Sequence, residues 1–235
     1  PCSTAVPFSH LAAAALNPWA HPDDRRGAGV NVATVERSEA TKHVETVALC
    51  LTNAAPDAAC FFKDAGYYTL FGTLEWLQSN EIQVSSLSMS RSASTSPSTH
   101  EFLMMDDHVY LWPCVLFCTP AGNDGWGTPV NWLPYNALCV GSAKQYHEND
   151  YMLDMFTSTR NPAPAGTTCT DTPCVGDREM PEILAPGSHP YVAVGETDPT
   201  CVWYDQAEPD SVWSGGGTSY SAPTANGVAA RVISS

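Results

Sequence analysis

Short apolar runs alternate with segments of helical periodicity beyond residue 28 of this chain. Residues 29–35 are almost wholly apolar and rich in β-branched side chains, which is typical of a strand buried on both faces. Glu36 ends this run, and between His43 and Leu51 the apolar residues recur at 44, 47, 48 and 51, the spacing of an amphipathic helix. The chain is therefore predicted to pass from a buried strand into a helix within a few residues.

The same unit recurs, with a predicted strand at 59–62, a helix at 68–78 and a further strand at 82–87. Strands that alternate with helices favour an α/β fold, in which a predominantly parallel sheet is covered by helices on both faces. Residues 109–118 and 137–140 are predicted to be two more strands of that sheet.

The length of 235 residues fits one domain at 27–235, preceded by an N-terminal arm at 1–26 in which Pro, Ala and His occur without periodicity. Residues 90–99 are of low complexity and are expected to form a loop. The segment at about 144–180 is rich in Asp, Thr, Pro and Gly and is expected to be a surface insertion. Because the first residues lack the charged and apolar regions of a signal peptide, we expect a soluble, already processed chain.

The net charge indicates which kinds of binding partner are excluded, and the cysteine content indicates the cellular compartment. Ten Lys plus Arg against 25 Asp plus Glu give a net charge of −15, which repels phosphate backbones and anionic lipids. This argues against nucleic-acid and membrane partners. Nine cysteines in an acidic, lysine-poor chain indicate an oxidising compartment, so we expect a secreted protein.

The spacing of the cysteines predicts which of them can pair. No two are spaced Cys-x-x-Cys, which argues against a zinc ribbon or a thioredoxin-like redox site. Cys114 and Cys118 would lie about 13 Å apart along a strand, beyond disulfide reach, so they are expected to be buried thiols or partners of other cysteines. A disulfide is favoured among three cysteines in loop-rich sequence, Cys169, Cys174 and Cys201.

The segment 215–223, Gly-Gly-Gly-Thr-Ser-Tyr-Ser-Ala-Pro, leads into a helix-like pattern at 224–233. Glycines allow the backbone to approach a ligand, and a serine at a helix N-terminus lies at the positive end of the helix dipole. Such a serine fits the role of nucleophile. A glycine-rich turn with a serine cap explains the same residues without chemistry.

The order of residues in this segment resembles the nucleophile motif of the subtilisin-like serine peptidases, the subtilases. The segment 119–125, Thr-Pro-Ala-Gly-Asn-Asp-Gly, is similar to the family's Ala-Gly-Asn-x-Gly oxyanion segment, and 27–36 resembles its first catalytic strand. Weaker matches are the Ala-Pro-x-Ala strand entry at 55–58, the helix and substrate-binding strand at 73–90, and the turn at 182–187.

The resemblance implies a subtilisin-like three-layer fold and a serine endopeptidase. By position in the motifs, Ser219 corresponds to the nucleophile and His43 to the general base. Glu36 corresponds to the acid that orients the histidine, and Asn123 to the oxyanion donor. Protein or peptide substrates are the implied partners, together with the chain's own cleaved segments or propeptide. No cofactor is required for such catalysis, and a structural calcium ion is compatible with the family but not indicated by the sequence.

The resemblance also implies a substrate cleft. An extended peptide would pair as an added strand with the backbone at Ser88, Met89 and Ser90. The backbone of Ala121 and Gly122 would border the specificity pocket.

Two departures from the family pattern affect the acid and the histidine. Glu36 stands where the family has Asp, and six residues separate it from His43 where the family has a long segment. A second register of the histidine motif would place Ala40 in the catalytic position and give an inactive protein. Other carboxylates near this segment are Asp23, Asp24 and Glu39.

Structural roles compete with the catalytic ones. His43 also fits a solvated helix residue, Glu36 a charged strand end and Asn123 a turn residue before Asp-Gly. An inactive, peptide-binding relative of the subtilases is therefore one alternative. A sedolisin-type serine-carboxyl peptidase is a second, against which Asn123 argues because that class uses an oxyanion Asp.

Two further features concern metal binding and the chain's end. Residues 106–108, Asp-Asp-His, are interpreted either as metal ligands or as a polar loop before the core strand, and the loop is favoured because no other ligands cluster nearby.

The chain ends at Ser235, soon after the predicted catalytic helix, so it is expected to be one piece of a longer or cleaved protein.

Overall fold

The computed structural model describes residues 26–36, 42–65, 70–88, 99–128, 130, 134–147, 150–159, 180–188, 192–193, 212–213 and 216–234. The N-terminal arm predicted at 1–26, except for Arg26, lies outside these ranges. So do residues 90–98 of the predicted loop and residues 160–179 of the predicted insertion.

Within the described residues the chain forms four helices and nine strands. The helices are α1 (Lys42–Ala54), α2 (Leu70–Ser79), α3 (Thr99–Leu111) and α4 (Thr218–Ile233). The strands are β1 (Asn31–Glu36), β2 (Ala59–Asp64), β3 (Val84–Leu87), β4 (Leu116–Pro120), β5 (Ala137–His147), β6 (Asp150–Leu153), β7 (Ile183–Pro186), β8 (Val192–Ala193) and β9 (Val212–Trp213).

Seven of the strands form one sheet, in which β2, β1, β3, β4 and β5 are neighbours in that order and all parallel. β5 also pairs with β7 in parallel and with β6 antiparallel, so the sheet extends into the segment predicted as an insertion. The predicted, predominantly parallel sheet is confirmed. From β1 the chain first adds β2 on one side and then crosses over to add β3 on the other side. The direction in which strands are added therefore reverses between β1 and β3.

Alternate residues of the strands contribute to two separate cores. On one face, Ala33 and Val35 of β1 pack with α2 and α3 through buried residues that include Leu77 and Met105. On the other face, Val32 packs with α1 and α4. Because these strands are buried on both faces, their sequences are continuous runs of apolar residues. The three-layer α/β arrangement expected from the sequence is confirmed.

Helices α1 and α4 lie side by side on their face of the sheet. Gly227 makes this close approach possible, because a Cβ atom at that position would lie 2.4 Å from the Cβ of Ala54 and 2.9 Å from the carbonyl oxygen of Leu51. The starts of the two helices meet as well, where the ring of Tyr220 contacts the ring of His43. The two helices thus pack against each other near both ends of α1.

The strand predicted at 109–118 is wrong in its first half. Residues up to Leu111 belong to α3, and β4 starts only at Leu116. Pro113 stands between the two elements, where it stops a helix from continuing. An apolar run that spans a helix end and the next strand has no single periodicity, which is why the sequence could not separate them.

The polar loop predicted at 106–108 is also wrong, because these residues lie within α3. The carboxylate of Asp106 accepts hydrogen bonds from the backbone N–H groups of Tyr135 and Asn136, at 3.0 and 2.7 Å. It thus fixes the chain just before β5. Over the described ranges, no group of three or more His, Cys, Asp or Glu side chains is arranged to hold a metal ion.

The cysteines of the described ranges agree only partly with prediction. Cys118 is a buried free thiol, as expected, whereas Cys114 is a free thiol on the surface. Burial raises the pKa of the Cys118 thiol to about 12, so it is protonated and unreactive at neutral pH. The disulfide favoured among Cys169, Cys174 and Cys201 lies outside the described residues.

None of the helices that the structure describes has both the length and the apolar character needed to cross a membrane.

Candidate active site

The carboxyl edge of the sheet gathers the predicted site residues. Glu36 is the last residue of β1, Ser88 follows β3, and Ala121, Gly122 and Asn123 follow β4. In open α/β sheets, ligands bind at this edge, at the point where the strand order reverses. Here the reversal falls between β1 and β3. β1 ends at Glu36, and Ser88 directly follows β3.

Glu36 and His43 form a close pair at this edge. The Nδ1 atom of His43 lies 3.5 Å from the Oε2 atom of Glu36. The Glu36 side chain is 5% exposed, whereas that of His43 is 37% exposed and open to a ligand. Six intervening residues are enough to connect the strand end to the first turn of α1, so the short connection is compatible with the pair.

Burial raises the pKa of Glu36 above its usual range. His43 opposes the shift by hydrogen bonding and by its charge, and the buried Ser88 hydroxyl opposes it more weakly. Each opposing interaction favours the carboxylate over the carboxylic acid. Burial thus disfavours the charged form of Glu36, and His43 is the main group that stabilises that form.

Ser219 lies in the first turn of α4 and is partly exposed. Backbone N–H groups in the first turn of a helix have no partner within the helix, and the helix dipole is positive there. The serine hydroxyl therefore lies where negative charge on a bound group is stabilised.

Asn123 is held against the start of α4 by Thr218. The Oδ1 atom of Asn123 accepts hydrogen bonds from the backbone N–H of Thr218 at 2.8 Å and from its hydroxyl at 3.0 Å. The Thr218 hydroxyl in turn accepts a hydrogen bond from the backbone N–H of Gly122 at 3.0 Å. The Nδ2 atom of the same side chain lies near Gly217, 3.4 Å from the position that a Cβ atom would take there.

The loop that carries Asn123 is fixed by the segment 154–159. The N–H of Gly125 donates to the carbonyl of Phe156 at 2.7 Å, and the N–H of Ser158 donates to the carbonyl of Gly122 at 3.0 Å. Gly122 has a φ of 111°, in the region that favours glycine. The oxyanion segment predicted from the sequence is thus anchored to both α4 and the strand connection after β6.

The structure brings together the predicted site residues that lie within the described ranges. Glu36 and Ser88 lie beside each other, and Ala121, Gly122 and Asn123 adjoin the turn that carries Ser219. Met89 and Ser90 lie outside the described residues, as do the alternative acids Asp23, Asp24 and Glu39 and the alternative register at Ala40.

Two residues with a direct part in this geometry were not singled out from the sequence. Thr218 lies inside the predicted nucleophile motif, and its buried hydroxyl links Gly122 to Asn123. Tyr220 occupies the variable position of the motif, and its ring contacts His43. The helical periodicity of α4 is the signal that predicts Tyr220 to be buried, but it does not reveal which residue it contacts.

Comparison with known proteins identifies the family of this chain. The Subtilase family model matches residues 22–235. The chain belongs to the subtilase family, which is a family of serine proteases. No curated protein sequence matches it.

Several solved structures share the fold. The structure of the prenylagaramide maturation protease PagA is 17% identical, with a TM-score of 0.61, and the match covers 89% of this chain and 77% of that one. The PatG macrocyclase in complex with peptide is 13% identical with a TM-score of 0.58, with coverage of 89% and 77%. The patellamide maturation protease PatA is 17% identical with a TM-score of 0.57, with coverage of 88% and 79%.

Proposed function

We propose that this subtilase is a serine endopeptidase in which Ser219 is the nucleophile, His43 the general base and Glu36 the orienting acid. The observation that carries the proposal is the 3.5 Å approach of His43 Nδ1 to Glu36, on a helix whose start contacts the start of α4. With Nδ1–H directed to the carboxylate, Nε2 is the basic nitrogen that faces the substrate side.

The steps follow the serine peptidase template. The Oγ atom of Ser219 attacks the carbonyl carbon of a peptide bond while Nε2 of His43 takes the hydroxyl proton. The same proton passes to the amine nitrogen as the C–N bond breaks, which leaves an acyl-enzyme. A water molecule, deprotonated by His43, then attacks the acyl carbon and releases the acid product and Ser219. Glu36 remains ionised and stabilises the imidazolium in both halves.

Asn123 is proposed to bind the oxyanion that develops on the carbonyl oxygen. Its Oδ1 atom is engaged by Thr218, so Nδ2 is the group that remains to donate. The backbone N–H of Ser219, in the first turn of α4, is the second donor. Donors fixed before the reaction stabilise developing charge without the cost of reorienting.

The proposed substrates are polypeptides in an extended conformation, bound along the chain at Ser88, Met89 and Ser90 and beside Ala121 and Gly122. One structural neighbour is a macrocyclase in complex with peptide, and others are maturation proteases, which supports peptide as the substrate class. We propose a secreted enzyme that needs no cofactor for catalysis, because the proposed steps use protein groups and water.

The test is labelling with a fluorophosphonate probe, followed by peptide mapping. The native protein should be labelled at Ser219, and Ser219→Ala and His43→Ala should lose the label. Ser221→Ala is the matched control, because Ser221 lies in the same turn but is fully buried, so this variant should be labelled like the unchanged protein. Labelling elsewhere, or none in the folded protein, would exclude an activated Ser219.

Casein hydrolysis at different pH values separates the remaining alternatives. A histidine base gives a rate that rises toward neutral pH, whereas the carboxyl base of a sedolisin-type enzyme works in acid. A processed protein that binds peptides without hydrolysing them at any pH would instead be the inactive peptide-binding relative.

A further inference from the structure

Tyr220 directly follows Ser219 on α4 and contacts the ring of His43. The two ring centroids are 5.3 Å apart and the ring planes are tilted by 45°. Tyr220 is 2% exposed and packs with Val47 and Cys50 of α1, so its ring is fixed in a rigid cluster. The histidine ring therefore contacts a residue that is itself packed against α1.

The contact between His43 and Glu36 does not hold the imidazole by itself. A separation of 3.5 Å is at the long limit of a hydrogen bond, where the interaction is weak. The His43 side chain is also more than one third exposed, so water competes for it. A second restraint on the ring is needed to keep Nδ1 directed to the carboxylate.

We propose that Tyr220 is a positioning residue that holds the His43 imidazole with Nδ1 toward Glu36 and Nε2 toward Ser219. This inference rests on the proposed peptidase function. Aromatic rings pack favourably at this distance and tilt, and the contact restricts rotation of the histidine about its side-chain bonds. Because Tyr220 and Ser219 are adjacent, one helical turn positions both the nucleophile and the ring that contacts its general base.

The charges near Tyr220 support this placement. Burial raises the pKa of the Tyr220 hydroxyl, and Cys50 and Glu36 raise it further, so the tyrosine is neutral and lies within electrostatic reach of the carboxylate. Of the described residues, the titratable groups that act on Tyr220 are Cys50 from α1 and Glu36 from β1, and the His43 ring lies against it. A neutral ring contacts the imidazole without competing for its proton.

The experiment compares two replacements of Tyr220. Tyr220→Phe keeps the ring, whereas Tyr220→Leu keeps an apolar side chain but removes the ring. Leu51→Ala is the control for loss of packing between α1 and the core, since Leu51 is buried but lies two helical turns from His43. All are measured at a temperature at which circular dichroism shows each variant to be folded.

Two readouts are used. The first is peptide hydrolysis, in which Tyr220→Leu should lower kcat by roughly ten- to a hundredfold with little change in KM, since small misplacements of a catalytic group have effects up to about that size. The second is carbethoxylation of His43 by diethyl pyrocarbonate, followed by peptide mapping because the chain has seven histidines. Tyr220→Leu should speed modification of His43 severalfold, and Tyr220→Phe should stay within about threefold of the unchanged protein in both readouts.

Three results would overturn the inference: no change in Tyr220→Leu, an equal loss in Tyr220→Phe, or the same changes in Leu51→Ala. The second of these would assign the effect to the hydroxyl, and the third to general packing. If the unchanged protein hydrolyses no peptide, the peptidase proposal fails, but the modification rate of His43 still decides whether Tyr220 restrains the ring.

Discussion

The Nδ1 atom of His43 lies 3.5 Å from the Oε2 atom of Glu36, whose carboxylate is almost completely buried at the end of β1. Removing a carboxylate from water is costly, and a partner at this distance repays only part of the cost. Burial accordingly raises the pKa of Glu36. A charge kept at a position that destabilises the fold is a sign of function, since proteins depart from local rules mainly at their sites.

Glu36→Gln should therefore change stability and activity in opposite directions. The amide removes the buried charge, so the free energy of unfolding at neutral pH should stay the same or rise. The rate of peptide hydrolysis should fall by about 10⁴, because an amide neither stabilises the imidazolium nor keeps its tautomer. Urea unfolding and casein hydrolysis measure the two effects, and Glu36→Asp, which keeps the charge, should retain part of the rate. Parallel losses of stability and rate in Glu36→Gln would contradict this view.

The same pKa shift predicts how stability depends on pH. Because burial raises the pKa of Glu36 above the ordinary value of about 4.5, the folded protein binds more protons at this site than the unfolded chain does in the interval between the two pKa values. The free energy of unfolding should thus fall as the pH rises through that interval. Urea titrations between pH 4 and pH 8 should show this slope in the unchanged protein and not in Glu36→Gln. A difference in stability between the two that does not vary with pH would argue against the shift.

Asn123 offers a test that separates catalysis from turn structure. Asn123→Asp keeps the oxygen that accepts from Thr218 and removes the Nδ2 donor, so the local fold should persist. We expect kcat to fall by roughly 10² to 10³ or more, with little change in KM, since the donor acts on transition-state charge. Asn123→Ala should lose a similar rate and, in addition, about 1 to 3 kcal/mol of stability, because the buried Thr218 N–H loses its acceptor. If Asn123→Asp retained full activity, Asn123 would be a turn residue only.

The sequence predicts the sheet because its strands are buried on both faces, as at residues 31–36, and it predicts Glu36 and Asn123 at strand ends for the same reason. It fails at α3, where the apolar residues of the helix end run on into β4 without a change of pattern. It also fails to show the contact between Tyr220 and His43. These residues are far apart in the chain, and their contact depends on how closely α1 approaches α4, which is a property of packing and not of periodicity.

Gly227 sets the local approach of α4 to the end of α1 that is farthest from His43, so its replacement should reduce stability more than catalysis. In Gly227→Ala the new methyl group would overlap the Cβ of Ala54 and crowd the carbonyl of Leu51, and overpacking of this kind typically costs about 1 to 3 kcal/mol. Ala54 is at the far end of α1 from His43, so kcat should change little. Urea unfolding measures the loss, and the double variant Ala54→Gly/Gly227→Ala should recover part of it. Full additivity in this cycle would show that the two positions do not interact.

Replacement of Gly187 should reduce catalysis more than stability, because Gly187 lies against the start of α4. Its carbonyl accepts a hydrogen bond from the N–H of Gly217 at 2.9 Å. A Cβ at position 187 would lie 2.0 Å from the Oγ of Ser221 and 2.7 Å from the carbonyl oxygen of Gly217. Since Gly217 caps the helix that carries Ser219 and faces the amide of Asn123, Gly187→Ala should push this turn out of alignment.

We expect Gly187→Ala to lower kcat by about 100-fold, the cost of a displacement of about 1 Å at a catalytic group. Gly227→Ala is the matched comparison, because it adds the same methyl group to a similarly crowded contact elsewhere on α4. Adding Ser221→Ala to Gly187→Ala removes the nearest overlap but leaves the carbonyl of Gly217 in the way, so recovery of kcat should be partial. Steady-state kinetics on the folded variants decides the matter: if both glycine variants lost stability and kcat in the same proportion, the turn at Gly217 would not be a distinct determinant of catalysis.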